Sequence, residues 1–253
     1  MKITLLGTGT STGVPQIGCK CEVCQSSDIF DKRLRTSALV ETDTDTILID
    51  CGPDFRQQML NLAETPQISA ILLTHQHYDH LGGLDDIRPF GNMQIYGESY
   101  VLDSVRRNMP YCFGKDLYPG VPIITLNEVV ENQSFYVGKT LVEPIRAFHY
   151  KLPIFGYRFG QLAYLTDVSR LEDSEIEKLK GLEVLVINAL RIEPHLSHMN
   201  LQESIEVAKK IKAKRVFFIH MSHGIGLHKV VNTQLPNNMQ LAICDVPPKG
   251  FEL

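Results

Sequence analysis

The chain reads as an α/β protein. Three observations predict this. Short continuous apolar runs recur along the whole length, helix-period segments lie between them in both halves, and no Pro- or Ser-rich linker or low-complexity stretch separates the halves. With 253 residues, 43% of them hydrophobic, the chain can build one large core or two small ones. The missing linker favours a single domain over residues 1–253.

Strands are predicted at 3–6, 46–49, 70–73, 94–96, 123–126, 162–165, 184–187 and 216–219. Several are apolar throughout, the pattern of strands covered on both faces. Helices are predicted at about 54–63, 98–108, 172–180 and 200–212. The last carries the best local signal: Asn200 can cap its start, and Glu203 stands three positions on, as in a capping box. Gly181 suits the C-terminal stop of the third. Residues 109–120 (MPYCFGKDLYPG) fit neither period; they read as a lid or wall over a site, or as a surface loop packed by its own aromatics.

Composition excludes some function classes. The net charge is −4 and like charges do not run together, which argues against a nucleic-acid backbone as the main partner. No apolar stretch approaches the roughly 20 residues that span a bilayer. The N-terminus turns polar and Gly-rich after Leu6, so no signal peptide is expected and the cytoplasm is the expected location. Structural disulfides are disfavoured there, so clustered cysteines call for another explanation.

The strongest chemical signal is Thr74-His75-Gln76-His77-Tyr78-Asp79-His80-Leu81-Gly82-Gly83, directly after an apolar strand. Imidazoles and a carboxylate packed this closely would be poorly placed in a core unless something satisfied them. Borderline divalent metals favour these donors. His75 and His77 can turn toward one ion, while Asp79 and His80, on the turn beyond, can reach a second. Gly82 and Gly83 would let the backbone turn tightly beside them.

His-x-His-x-Asp-His-x-x-Gly resembles the signature of the metallo-β-lactamase superfamily, and the resemblance covers nearly the whole chain. It implies a four-layer αββα sandwich, with two mixed sheets between outer helices and a dinuclear centre at one edge. It also implies further ligands in order, each at a strand end, and His149, Asp167 and His220 match. By this resemblance His75, His77 and His149 hold one ion, Asp79, His80 and His220 hold the other, and Asp167 bridges them. Asp50 matches the early Asp of the family and would orient a ligand rather than bind metal. Two divalent ions bring about +4, and Asp79, Asp167 and a bridging hydroxide remove about three, so the centre would attract an anion. Paired metals suit in-line displacement at a phosphodiester better than attack on a neutral amide. The common lactamases lack the equivalent of His80 or carry Cys in place of Asp167, which argues against lactam hydrolysis.

Cys19-Lys20-Cys21-Glu22-Val23-Cys24 is a second cluster, an insert at about 18–25. Three thiols this close suggest a tetrahedral zinc lacking one ligand; a redox pair or unrelated thiols are the alternatives. His223 is the expected fourth ligand, with His228 the alternative. Cys51, Cys112 and Cys244 read as ordinary buried or half-buried thiols. A fold of this kind with such an insert resembles the phosphoribosyl 1,2-cyclic phosphate phosphodiesterase family of phosphonate breakdown. The pyrroloquinoline quinone biosynthesis protein B group shares the insert, but should have lost dinuclear ligands that this chain keeps. A transfer RNA 3′-processing nuclease shares the metal motif, but would need a basic RNA-binding arm that this chain lacks.

Weaker signals complete the reading. Gly7–Gly13 is Gly- and Thr-rich, but no Gly-Lys-Ser/Thr follows, so it reads as a turn lining the site with backbone N–H groups toward a phosphate. Arg88 is a candidate for holding a substrate phosphate, with an ion pair to Asp85 as the alternative. His198 matches a histidine near the substrate in the related phosphodiesterases. As an uncoordinated imidazole it would be the general acid or a phosphate-side hydrogen-bond donor, joining Asp79 as a catalytic residue; the alternative is that it only hydrogen-bonds the start of the helix at Asn200. His195 reads as surface or as support for its neighbours. The sequence therefore predicts a phosphodiesterase acting on a small, anionic, cyclic substrate. Its expected cofactors are two zinc or manganese ions plus one structural zinc, and the resemblance implies a homodimer.

Overall fold

The computed structural model describes residues 1–114 and 117–243, and the backbone of 251–252. Two seven-stranded sheets form the framework. The first contains β1 (Lys2–Gly7), β2 (Ser37–Glu41), β3 (Thr46–Ile49), β4 (Ala70–Leu72), β5 (Asn92–Gly97) and β6 (Ile123–Glu128) in sequence order. The second contains β7 (Phe135–Val137), β8 (Thr140–His149), β9 (Leu152–Phe159), β10 (Leu162–Leu165), β11 (Val184–Asn188), β12 (Arg215–Ile219) and β13 (Met239–Leu241), also in sequence order. A short β14 (Phe251–Glu252) pairs antiparallel with β1.

Each sheet begins with antiparallel strands and ends with parallel ones. Strands β1–β3 are antiparallel neighbours, and β3–β6 run parallel. Strands β7–β10 are antiparallel, and β10–β13 run parallel. Parallel pairing needs crossovers, and every helix after the first lies in one, whereas the first lies in the antiparallel connection from β1 to β2. The helices are α1 (Glu22–Gln25), α2 (Phe55–Asn61), α3 (Tyr78–Leu81), α4 (Ser99–Asn108), α5 (Asp173–Lys178), α6 (Leu201–Ile211) and α7 (His228–Asn232).

Three apolar layers show that both sheets are covered on both faces. Ile47, Ile49, Tyr157, Tyr164, Val186 and Phe217 fill the space between the sheets. Leu48, Ile71 and Ile95 face outward against Phe55, Met59, Val101 and Val105 of α2 and α4. Leu165, Leu185 and Phe218 face the other way against Ile176, Ile205 and Ile211 of α5 and α6. Adjacent residues of one strand therefore enter different layers, which is why these strands are apolar throughout. The four-layer αββα architecture is the one the resemblance implied.

Elements the sequence did not mark are β2, β7, β9, β13, β14 and the short helices α1, α3 and α7. Strand β9 carries Pro153 and Gly156, which weaken a strand pattern. A residue at 156 with a Cβ would meet Leu165 and the Tyr164 carbonyl, so the glycine serves close strand contact. Helix α6 forms as read: Asn200 accepts the Glu203 N–H (2.9 Å) and Glu203 accepts the Asn200 N–H (2.8 Å), a cap worth about 1 kcal/mol. Among the described residues no helix is long and apolar enough to cross a membrane.

Candidate metal centre

The parallel strands of both sheets end at one edge, where α/β folds place their sites. Asp50 follows β3, Thr74–His80 follow β4, His149 ends β8, Asp167 lies just past β10, and His220 follows β12. Asp50, Asp167 and His220 all take left-handed backbone conformations, with φ of 59°, 60° and 53°. Each costs about 1–2 kcal/mol for a residue with a Cβ, and such strain collects where side chains must be aimed.

The histidine loop is held against the Asp50–Gly52 segment. The Cys51 N–H donates to the His80 carbonyl (2.7 Å) and the Gly83 N–H to the Cys51 carbonyl (2.8 Å). A Cβ at Gly83 would lie 2.0 Å from the Gly52 carbonyl, and one at Gly52 would lie 2.0 Å from that of Asp79. Gly83 thus serves close backbone contact, because its φ is not positive, and the expected tight turn is instead the helical turn α3, which carries Asp79 and His80.

The side chains converge as two overlapping groups. Asp79, His80, Asp167 and His220 bring one ligand atom each within 4.8 Å of one another, and so do His149, Asp167 and His198; Asp167 belongs to both. His75 Nε2 lies 3.0 Å from His77 Nδ1, and the His149 ring centroid is 5.6 and 5.0 Å from those two rings. The far nitrogens are anchored by oxygen: His80 Nδ1 on Asp50 (2.7 Å), His75 Nδ1 on the Thr74 hydroxyl (3.0 Å) and His149 Nδ1 on the Ser197 carbonyl (2.7 Å). Each anchor leaves the Nε2 lone pair for the centre.

This donor set fits divalent metal. Buried His80 Nε2 and both ring nitrogens of His220 have no hydrogen-bond partner among the described residues. Carboxylate oxygens of Asp79 and Asp167 lie 3.2–3.5 Å from these Nε2 atoms but not in line to accept an N–H. Nitrogens and oxygens instead aim at shared points, as ligands do. Electrostatics agree. Burial opposes ionisation of Asp79 and Asp167, but His80 and His220 hold both well below the usual carboxylate range. Burial also opposes charge on His80, yet Asp167 and Asp79 push its pKa well up. Burial pushes His75 and His77 down, leaving them neutral donors. The acidic pair demands a cation, which His80 supplies as a proton and a metal would supply better.

His198 departs from its expectation. It is not an unperturbed imidazole: its Nε2 is 3.2 Å from Asp167 Oδ1, its ring stacks on His220, and burial and His220 push its pKa down to about 3. Nor does it cap α6, since Asn200 does that. Arg88 is not brought to the cluster; it is exposed and donates to Asp85 (2.6 Å), which also accepts from the Tyr111 hydroxyl (2.7 Å). Much of the Gly7–Gly13 turn is already engaged in backbone hydrogen bonds. Gly9 bridges Arg35 and Met221, and the N–H groups of Gly9, Thr10 and Gly13 donate to Leu34, Met221 and Thr10. Met109 and Tyr111 of the aromatic segment wall a cavity of about 340 Å³ beside Tyr78; residues 115–116 lie outside the described residues.

The cysteine group assembles around His223. Its Nδ1 lies 3.5 Å from Cys19 Sγ and 3.2 Å from Cys21 Sγ, and Cys24 completes the set. The Cys24 N–H and His223 bring Cys21 down to about 6, whereas burial pushes Cys24 up to about 11. His228 is elsewhere, 3.2 Å from Arg33 and packed on Phe30. Cys51 and Cys112 are buried as expected, and Cys244 lies outside the described residues.

The sequence model of the β-lactamase superfamily domain matches residues 45–221, most of the chain and nearly all of this edge. The chain belongs to the β-lactamase superfamily. Its fold is the metallo-β-lactamase fold, and solved superfamily structures resemble it. A diphosphatase of the PhnP family is 37% identical, with a TM-score of 0.89, over 100% of this chain and 97% of that one. Zinc-bound PqqB from Methylobacterium extorquens shares the fold at 18% identity and a TM-score of 0.84, over 100% of both chains. A Porphyromonas gingivalis protein named octanoyltransferase is 47% identical over 234 residues, 90% of this chain and 47% of that protein. This superfamily member therefore spans about half the length of that relative.

Two anchors escaped the sequence reading. Thr74 stood inside the motif, so its place beside His75 was a usable signal. The Ser197 carbonyl left no signal, because any residue supplies a carbonyl.

Proposed function

We propose that the chain is a dinuclear metal-dependent phosphodiesterase acting on a small anionic substrate, with a cyclic phosphodiester the first choice. The observation that carries this reading is the convergence of Asp79, His80, Asp167 and His220 with partnerless buried nitrogens. His75, His77 and His149 would hold one ion, Asp79, His80 and His220 the other, and Asp167 both. Zinc or manganese suits these donors. When bound, the ions would lower the pKa of water and polarise a phosphoryl oxygen.

The chain's own residues supply the rest. Asp79 is more exposed than Asp167, at 12% against 2% of the side chain, so it can accept a hydrogen bond from the attacking water and orient it. His198 presents an N–H to the leaving oxygen. Cys19, Cys21, Cys24 and His223 would hold a structural zinc whose four ligands leave no open position for substrate. Diphosphate cleavage is a second reading, supported by the 37%-identical diphosphatase. It is also a displacement at phosphorus and uses the same groups.

Turnover of a panel tests the reading: a five-membered cyclic phosphodiester, a chromogenic linear diester, its monoester, a diphosphate diester, a lactam and an octanoyl ester. Diester or diphosphate cleavage should far exceed monoester cleavage, because a monoester dianion is a poorer electrophile. Lactam or acyl-ester turnover without cleavage at phosphorus would sink the proposal.

A further inference from the structure

Asp50 is wholly buried at the base of the centre, and every group that meets its carboxylate is a donor. The Thr74 N–H reaches Oδ1 at 2.8 Å, the Thr74 hydroxyl reaches Oδ2 at 2.9 Å, and His80 Nδ1 reaches Oδ2 at 2.7 Å. A hydroxyl has one proton, and a carboxylate can only accept. The Thr74 proton is therefore committed to Asp50, which turns the hydroxyl lone pairs toward His75 Nδ1, 3.0 Å away. His75 Nδ1 must then carry the hydrogen, and the Nε2 lone pair faces His77 Nδ1 across 3.0 Å. That lone pair can accept a hydrogen from His77 Nδ1 or, once His77 gives that hydrogen up, share a cation with it.

From this chain of contacts we propose that Thr74 is a positioning residue that fixes the His75 tautomer, so that Asp50 governs both ions: directly through His80 and by way of the Thr74 hydroxyl through His75. The inference rests on the metal assignment above. It predicts an asymmetry. Asp50 supports both ions, whereas the Thr74 hydroxyl supports only the one held by His75, His77 and His149. A hydroxyl that merely filled space would favour neither.

The test is metal binding, measured by zinc titration calorimetry on the metal-depleted full chain, with circular dichroism as the folding control. Thr74→Val keeps the branched shape and removes the hydroxyl. It should weaken one of the two centre ions by about 10–100-fold and leave the other unchanged, the usual scale for losing a group that orients a ligand. Thr74→Ser keeps the hydroxyl and should restore binding, which also answers a folding defect in the valine variant. Asp50→Asn should weaken both. Wild-type binding of both centre ions by folded Thr74→Val would overturn the proposal, and so would equal weakening of both. If wild-type protein bound only the cysteine-site ion, the metal assignment itself would fail.

Discussion

His198 sits between Asp167 and two imidazole rings, and burial and then His220 push its pKa down to about 3 against the opposing pull of Asp167, which favours the neutral form near pH 7. A neutral imidazole still has one N–H to donate, and an anionic substrate alongside would favour its protonation. If it serves the leaving oxygen, His198→Ala should slow a poor alkoxide leaving group by about 10²–10⁴-fold. A nitrophenolate, which departs unaided, should slow much less, and rates on matched substrates measure the difference. Equal losses would make His198 a phosphate-positioning residue, and no loss would remove it from the reaction. The left-handed backbone at Asp167 and His220 belongs to the same economy of aim: local strain directs a side chain that packing alone would leave free.

At the scale of elements, the segment from β1 to α1 is the one that the proposed zinc site would tie down. Its own apolar cluster has only Val14, Val23 and Cys24 buried, with Leu227 partly so. Little apolar surface is buried here, so backbone hydrogen bonds such as the Val14–Arg33 pair (2.9 and 2.7 Å) hold the segment, and the proposed zinc would add a cross-link. The partner is the turn after β12, where Met221 exchanges backbone hydrogen bonds with Thr8 (2.9 Å) and Thr10 (3.0 Å). His223 stands three residues beyond His220, so one short turn serves both candidate metal groups. Cys21→Ser should therefore lower zinc content by about one ion per chain, from roughly three, and lower the melting temperature. Elemental analysis and a thermal melt check this; unchanged values in both would rule out the structural zinc.

Across the whole molecule, buried polar ties join the parts that apolar layers cannot register. Arg146 on β8, 8% exposed, holds Glu98 before α4 with two hydrogen bonds of 2.9 and 2.7 Å, linking the second sheet to the first. At the other end, His228 lies under Phe30 with Arg33 donating toward Nδ1 and the Asn232 amide 2.9 Å from Nε2. Burial first, and then the Arg33 cation, push its pKa down to about 4. The unfolded histidine titrates near 6.5. The native state therefore binds its proton less readily, and its stability contribution is complete above about pH 6.5 and lost as pH falls toward about 4. The melting temperature of the wild type should fall more steeply over that window than that of His228→Gln. Parallel curves would show that His228 does not titrate in this way.

Local chemistry made much of this legible before folding. The run from Thr74 to Gly83 put several metal-ligand types at a strand end, and apolar strands announced layers on both faces, because both are written in neighbouring residues. The capping box at Asn200 is equally local. Strand β9 was hidden because Pro153 and Gly156 break its pattern, although its neighbours in the sheet hold it. Three decisions belonged to the tertiary structure alone. His223 rather than His228 meets the cysteines, because the turn after β12 faces them while Arg33 and Phe30 occupy His228. Arg88 turns to Asp85 instead of the centre. His198 is buried against Asp167, which no spacing foretells. A sequence determines which groups can bind or bond, but the pairing of groups far apart in the chain depends on which strand ends share an edge, and only packing decides that.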